Sequence, residues 1–374
     1  MSQDDVRLRD IQGDWWVFYP VTGLQIVEPL DTLQAPLFGD AAIVSKEQVG
    51  GFLEQFIMSA GVNDKKADLE FAVNYRLPFT TDFHSQLAVR RKGPLTHSHP
   101  LSRKDVRVSA DGRARAIAAL LTVLMLASNN AGKTCCLEDQ MTRGASKKTL
   151  ALSFDTPGYS FMSGGDDMQG WLYGIFNTKQ VIKASRVELE SLFQQPPFAR
   201  LVPIITRRRS AISASLRNIV ATSLVRLSES IMSTDSASQL LGAVTAIEIL
   251  LTHQGEPYQS NGRRLVALLG KEASERMDSD AVFHARHEYV HRGLSLDLHD
   301  VAKRALALSM LALFRYSYLA YNFRDKSTLV DYLDFIWYSD KVVDAPALQR
   351  PADRFSLHER AGFDIPFLQW ALSP

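Results

Sequence analysis

Apolar residues in the second half of the chain recur every three to four positions, and this helical periodicity constrains the fold more than any other sequence feature. Residues 210–232 show it with Leu216, Val220 and Leu224, and residues 235–253 repeat it after a short break. We therefore predict two antiparallel helices. Further helices are predicted over residues 263–269, over a segment that ends before Gly293, over residues 300–322 and over residues 329–338.

The first two hundred residues follow a different pattern. Short segments rich in aromatic and β-branched residues are separated by Gly and Pro, which is typical of strands. Helices are predicted over residues 46–60 and 113–128, the second after the turn signal Asp111-Gly112. The predicted strands cover residues 15–19, 69–75, 86–90, 106–109, 150–154 and 171–176.

The proline-rich segment at residues 194–203 interrupts both patterns, so we place a domain boundary there. We predict an α+β N-terminal domain over residues 1–200 and an all-helical bundle over residues 207–340. An irregular tail covers residues 341–374. The N-terminal domain is expected to recognise a ligand or trigger that the sequence does not identify.

Composition favours a folded cytoplasmic protein. Of the 374 residues, 46% are hydrophobic and 22% are charged, and the formal net charge is +1. The opening residues lack an apolar signal segment, and the most apolar stretch, residues 116–127, is too short for a bilayer of about 30 Å. The two cysteines, Cys135 and Cys136, are adjacent, which disfavours a disulfide. Residues 207–324 hold 15 Lys and Arg against 11 Asp and Glu, a balance of +4 that suits a polyanionic partner.

Residues 286–293, RHEYVHRG, can be interpreted as either of two active sites that share their histidines. From His287 the string is HExxH, in which two imidazoles one turn apart can bind zinc and Glu288 can activate a water. From Arg286 it is RHxxxH, a metal-free set of one fixed cation, one polar neighbour and the imidazole of His291. Neither pattern is conclusive without its context.

The context disfavours zinc. A zinc hydrolase needs a third protein ligand, and the spacing of one large peptidase class would place Gly at 294 and His at 297. The chain has Leu294 and Asp297 there. Arg286 and Arg292 also flank the two histidines, and nearby cations oppose the binding of Zn²⁺. We therefore keep a zinc metallopeptidase as a less favoured alternative and predict no metal or other cofactor.

The RHxxxH set suits attack on an RNA phosphodiester by the neighbouring 2′-hydroxyl. Imidazole exchanges protons near neutral pH, and guanidinium is a fixed cation for the charge that builds on phosphorus. His291 would be the acid or base, and Arg286 would clamp the phosphate. Gly293 is expected to end the helix, which puts His291 in the last turn, where the helix dipole favours a protonated imidazole.

The surroundings of the motif resemble the HEPN superfamily of ribonucleases, within it the Apea-like branch. The stretches that carry the resemblance are LLGAVTAIEILLTH, GRRLVALLG, AVFHARHEYVHRG and VAKRALALSMLALFRYSYL. The family signature is Arg, a polar residue, three further residues and His, often followed by Gly; Arg286, His287, His291 and Gly293 match it. The resemblance covers residues 210–338 and does not extend to the first two hundred residues.

The resemblance implies a helical bundle that forms a homodimer, in which two motif helices line one cleft and cut RNA without a metal. Such proteins commonly act as toxins or as anti-phage effectors in abortive infection. A composite cleft would also resolve a geometric difficulty, because Arg286 and His291 lie about 140° apart around an ideal helix whereas His287 and His291 share a face. A catalytically inactive HEPN module for dimerisation or RNA binding is the main alternative.

Further residues complete the predicted site. His287 would orient the phosphate or its catalytic partner. Glu248, in the apolar run TAIEILL, is expected to pair with Arg286 or a nearby arginine, the alternative being an exposed position on its helix. Tyr289 is assigned a supporting role. RNA binding is assigned to Arg263, Arg264 and Arg292.

Overall fold

The computed structural model describes the chain in segments that form two compact units. Unit 1 comprises residues 1–118 and 139–190, and unit 2 comprises residues 119–138 and 191–374. The described residues are 12–21, 24–26, 38–45, 48, 85–94, 100–128, 148–153, 158–163, 182–184, 190–191, 193–195, 198–206, 212–233, 235–253, 256, 260–293 and 298–339.

Unit 1 contains an antiparallel sheet of five strands in the order β3-β4-β1-β5-β6. A second, two-stranded sheet pairs β2 with β7 in parallel. The strands are β1 (Gln12–Val21), β2 (Leu24–Ile26), β3 (Ala41–Ser45), β4 (Ser85–Pro94), β5 (Lys148–Ser153), β6 (Gly158–Ser163) and β7 (Ile182–Ala184).

The central strand β1 is buried on both faces. Successive side chains of a strand point to opposite faces, yet Trp15, Trp16, Val17, Phe18 and Tyr19 are all buried. β1 also pairs with a neighbour along each of its edges. The aromatic run is therefore core, and it offers no surface for stacking nucleic-acid bases.

The helix α1 (Pro100–Ser128) begins in unit 1, where polar bonds tie it to the sheet. The Tyr19 hydroxyl donates to Asp111 Oδ1 at 2.6 Å, and buried Arg113 donates to Asp40 Oδ1 at 2.8 Å. Arg91 of β4 reaches the same carboxylate at 2.7 Å. Although burial alone would raise the pKa of Asp40, the two arginines outweigh it and lower that pKa.

The start of α1 corrects two predictions. Residues 106–109, predicted as a strand, are helical, and the helix runs through Asp111 and Gly112 where a turn was predicted. Gly112 is exposed and has no neighbour within 4 Å of where its Cβ would lie. An exposed helical glycine costs only about 1 kcal/mol, which the rest of a long helix can offset.

The described residues of unit 2 are mostly helical, and its first ones, 119–128, form the end of α1. Its elements are α2 (Leu201–Thr206), α3 (Ala214–Met232), α4 (Ser236–Leu251), α5 (Ser260–Leu269), α6 (Lys271–Arg276), α7 (Ser279–Arg292), α8 (His299–Leu319), a 3-10 turn (Ala320–Asn322) and α9 (Lys326–Ser339). The helices α3, α4, α5, α7, α8 and α9 correspond to those predicted from periodicity. An α+β region followed by a helical region is thus confirmed.

The helices α3 and α4 run antiparallel and approach closely. Ser213 caps α3 and Asp235 caps α4, each side chain accepting a bond from a backbone N–H of the first turn. The hydroxyl of Ser230 donates to Gln239 O at 2.5 Å, and the hydroxyl of Ser223, two turns earlier, donates to Ala246 O at 2.8 Å. The donor numbers fall from 230 to 223 while the acceptor numbers rise from 239 to 246, so the two helices run in opposite directions.

The helix α8 forms the centre of unit 2. Every residue from Ala305 to Ser317 is buried, and α8 contacts α3, α4, α5 and α7. At one end Phe198 packs edge-on against Phe314, with ring centroids 5.3 Å apart. A helix that is apolar all round must be surrounded by other elements.

Two short helices of unit 2 were not predicted. In α2, Pro203 is the third residue, and the first turn of a helix accepts proline because its N–H groups have no intrahelical partner there. α6 has one turn and a half, too short for a periodic signal. Outside the described residues lie the predicted strands at 69–75 and 171–176, the helix at 46–60 except Gln48, and the tail from residue 341.

Among the described helices, none combines the length and the hydropathy needed to span a bilayer.

Candidate functional site

The motif lies on α7, whose two ends are set by residues in the left-handed conformation. Asp278 precedes the helix with φ 52°, and Gly293 ends it with φ 62°. The N–H of Gly293 donates to Tyr289 O at 3.2 Å. Gly293 therefore ends the helix as predicted and places His291 and Arg292 in the last turn.

One face of α7 is packed and the opposite face is exposed. Val282, Phe283, Ala285 and Glu288 are buried, and α7 contacts α8 and α4. The exposed residues on the opposite side include Asp280, His284, His287, Val290 and His291. The tertiary fold thus presents the histidines of the motif outward.

His287 and His291 lie side by side on this exposed face. Their ring centroids are 4.5 Å apart, and the ring planes make an angle of 45°. Residues four apart on a helix are neighbours on its surface, so this contact follows from the sequence spacing. Two adjacent imidazoles can supply a proton donor and a proton acceptor to a single ligand.

Arg286 turns away from this pair toward α4. Its Nη2 atom lies 3.3 Å from Glu248 Oε1, and both side chains are about one-fifth exposed. Burial raises the pKa of Glu248, and the guanidinium of Arg286 only partly opposes that rise. Glu248 is thus not on the exposed stripe of its helix, and it fixes the direction of Arg286.

Glu288 occupies the packed side of α7. Its side chain is 8% exposed, and its Oε2 atom accepts from Arg292 Nη1 at 2.9 Å, while Arg292 itself is 66% exposed. In a zinc hydrolase this carboxylate would have to face a metal-bound water. Here an arginine one turn away holds it instead.

Among the described residues, the donor set around the two histidines is incomplete for a zinc site. Within the segments that the structure describes, no three His, Cys, Asp or Glu side chains come together as metal ligands would. Asp297, the third ligand considered from the sequence, lies outside those segments. Two imidazoles alone do not complete the three-ligand set that catalytic zinc requires.

The structure corrects the assignment of Arg264 to RNA binding. Arg264 is 1% exposed and is bonded to Leu251 O at 2.9 Å, to both carboxylate oxygens of Glu256, and to Asp334 Oδ2 at 2.7 Å. A buried guanidinium requires such partners. Its role is therefore to join α5, α9 and the segment after α4.

Its neighbour Arg263 is one-third exposed and donates to Asp334 Oδ1 at 3.1 Å. Of the three arginines assigned to RNA, Arg292 is the most exposed. Tyr289 is half-buried, and its carbonyl serves the helix end. The supporting contact to Arg286 comes from Glu248.

His284 is the residue of this face that the motif analysis missed. It lies three residues before His287 and seven before His291, which places all three on one side of a helix. That spacing was visible in the sequence, but the RHxxxH pattern begins at Arg286. The exposure of His284 becomes evident once the packed face of α7 is known.

Comparisons of the chain with protein-family models, with curated proteins and with solved structures find no match.

Proposed function

We propose that unit 2 is a metal-independent endoribonuclease of HEPN type that works as a homodimer. The observation that carries this proposal is the exposed pair of imidazoles on α7, with a guanidinium in the same turn held by a half-buried carboxylate. A fixed cation and adjacent proton carriers are what cleavage of RNA by its own 2′-hydroxyl requires.

In the proposed reaction, the 2′-hydroxyl oxygen attacks the neighbouring phosphorus and the bond from phosphorus to the 5′-oxygen breaks. An imidazole takes the proton from the 2′-hydroxyl, and another protonated imidazole gives a proton to the departing 5′-oxygen. The products are a 2′,3′-cyclic phosphate and a free 5′-hydroxyl. His291 carries one proton transfer, His287 orients the phosphate or serves as its counterpart, and Arg286 balances the charge on the phosphoryl oxygens.

The directions of the side chains support a composite cleft between two subunits. Within one chain Arg286 turns toward Glu248, whereas His287 and His291 face outward. A two-fold dimer that apposes two copies of α7 would bring the arginine of one subunit to the histidines of the other. In a cell such an enzyme would serve as a cytoplasmic toxin or anti-phage effector, with unit 1 receiving the trigger.

The test is RNA cleavage by the full chain in EDTA, with His291→Ala and Arg286→Ala beside the parent. We expect cleavage to persist under chelation and to fall about a hundredfold or more in either variant. His299→Ala and Arg276→Ala are matched controls, because both residues are exposed and lie on other helices. Product ends are identified by mass spectrometry.

The substitution Glu288→Gln separates this function from zinc hydrolysis. Cleavage should remain largely intact, since Glu288 is held by Arg292 on the packed side of the helix. Loss of activity in EDTA with rescue by zinc would instead favour a metal-dependent hydrolase. RNA binding without cleavage in every condition would favour the inactive module.

A further inference from the structure

A third imidazole extends the exposed face of α7 beyond the catalytic motif. His284 is exposed, as are His287 and His291, and the intervals of three and four residues align the three along one side of the helix. At 1.5 Å per residue, His284 lies about 10 Å from His291 along the axis. This exceeds the reach of a single phosphate group.

The charges near this face suit a chain of phosphates. Of the carboxylates on or facing α7, Glu248 is paired with Arg286 and Glu288 with Arg292. The three exposed imidazoles can each donate an N–H bond. Asp280, exposed one turn before His284, places a negative charge at the other end and limits the length of this face.

The spacing also suits one strand of nucleic acid. Consecutive phosphates of a stacked strand are about 3.4 Å apart along the axis and lie further apart when the bases unstack. A distance of about 10 Å therefore covers one to three phosphate intervals. A strand cleaved at His291 and running along α7 would place a neighbouring phosphate at His284.

We propose that His284 is a binding residue for an RNA phosphate one to three nucleotides from the scissile bond. This inference rests on the proposed ribonuclease function. His284 takes no part in the chemical step, so its contribution lies in holding the strand. Its contact with a phosphate explains why a residue outside the family signature is displayed beside the catalytic pair.

The experiment uses an eight-nucleotide DNA strand with one ribonucleotide, so that a single bond can be cleaved. We expect His284→Ala to raise KM about tenfold and to leave kcat unchanged, as the loss of one charged hydrogen bond would. His284→Arg should restore most of the affinity. A ribodinucleotide, which has no second phosphate, should be cleaved equally by the parent and His284→Ala.

A neutral methylphosphonate at each non-scissile position identifies the contacted phosphate. At the contacted phosphate, the methylphosphonate should raise the KM of the parent about tenfold. It should not raise the KM of His284→Ala further, because both changes remove the same contact. At the remaining positions, the methylphosphonate should change the KM of the parent and of His284→Ala by the same factor. Equal KM values for the parent and His284→Ala on the eight-nucleotide strand would overturn the inference, as would a change confined to kcat.

The same methylphosphonate series on an all-deoxy strand, followed by fluorescence anisotropy, measures the contact without cleavage. If the parent fails to cut RNA but His284→Ala binds the strand about tenfold more weakly, the ribonuclease proposal fails and the contact stands. If the parent cuts RNA and the anisotropy is unchanged by His284→Ala, the contact fails alone. If His284→Ala instead changes the oligomeric state of the protein, His284 belongs to the subunit interface and the inference is overturned.

Discussion

Glu248 is a carboxylate whose burial is only partly offset by an ion pair. It lies in an apolar run of α4, where burial raises its pKa, and Arg286 offsets that effect only in part. An ionised carboxylate in this position weakens the folded state at neutral pH. Carboxyl groups with perturbed pKa values occur more often at functional sites than elsewhere, and Glu248 contacts the arginine of the candidate site.

The first prediction at the residue scale concerns Glu248→Gln. A carboxyl with a raised pKa in the folded state stabilises that state as pH falls through the raised value toward 4.5, and loses this contribution as pH rises. The free energy of unfolding of the parent, relative to Glu248→Gln, should therefore increase from pH 7 to pH 4.5. Urea unfolding at both pH values measures it.

Glu229→Gln is the matched control, because Glu229 is half-exposed and pairs with Arg226 on its own helix. The difference in free energy of unfolding between Glu229→Gln and the parent should vary less with pH. A parent that instead loses stability relative to Glu248→Gln on acidification would show that Arg286 outweighs burial at this site.

At the scale of elements, the contact between α3 and α4 depends on a missing side chain. A Cβ on Gly242 would lie 2.7 Å from the Cβ of Ser230, closer than real atoms approach. Ser230 also donates its hydroxyl across to Gln239 O. The two backbones can thus approach each other only with glycine at this position.

Gly242→Ala is therefore expected to lower the free energy of unfolding by about 1–3 kcal/mol, since the helices must separate or the serine must move. Gly262→Ala is the control: it also lies in a helix, and its Cβ would meet no atom within 4 Å. That change should stabilise the protein by up to about 1 kcal/mol. Thermal denaturation of both variants measures the difference. Equal Tm shifts would contradict the close approach of α3 and α4 at Gly242.

Arg264 joins elements that the sequence leaves unconnected. It lies 70 residues from Asp334, and the same guanidinium bonds Glu256 and the carbonyl of Leu251. The hydrogen bond from Arg264 lowers the pKa of Glu256 to about 2. The ionised Glu256 therefore stabilises the folded state. Its contribution is complete above about pH 4.5 and is lost as pH falls toward 2, so acid should weaken this junction.

At the scale of the whole molecule, the proposed dimer predicts a specific pattern of complementation. If Arg286 and His291 of different subunits form each site, a heterodimer of Arg286→Ala and His291→Ala holds one intact site and one that lacks both residues. Purified through two different tags, it should regain roughly half of the parent activity. Both homodimers should remain inactive.

The reciprocal heterodimer pairs the parent with the double variant Arg286→Ala, His291→Ala. Composite sites would each lack one residue, so this heterodimer should be inactive. Sites contained in single subunits would reverse both results. Cleavage assays on the two purified heterodimers therefore distinguish the arrangements.

Local spacing predicted much of unit 2 and part of the candidate site. The helices α3 to α5 and α7 to α9 followed from periodicity, and the four-residue interval of His287 and His291 produced the 4.5 Å contact between rings. Predictions failed where local signals were weak or overridden. Residues 106–109 have strand propensity yet belong to α1, and Pro203 lies in a helix that is six residues long.

Alone, the sequence determined which residues share a helix face, because the rise and turn per residue are fixed by the backbone. It determined the end of α7 at Gly293 for the same local reason. The tertiary structure decided which charges are buried and which partners reach them from other segments: Arg264 is bonded to Glu256 and Asp334, and Arg286 faces Glu248. Burial depends on neighbours brought together from distant segments, and no spacing within one helix specifies them.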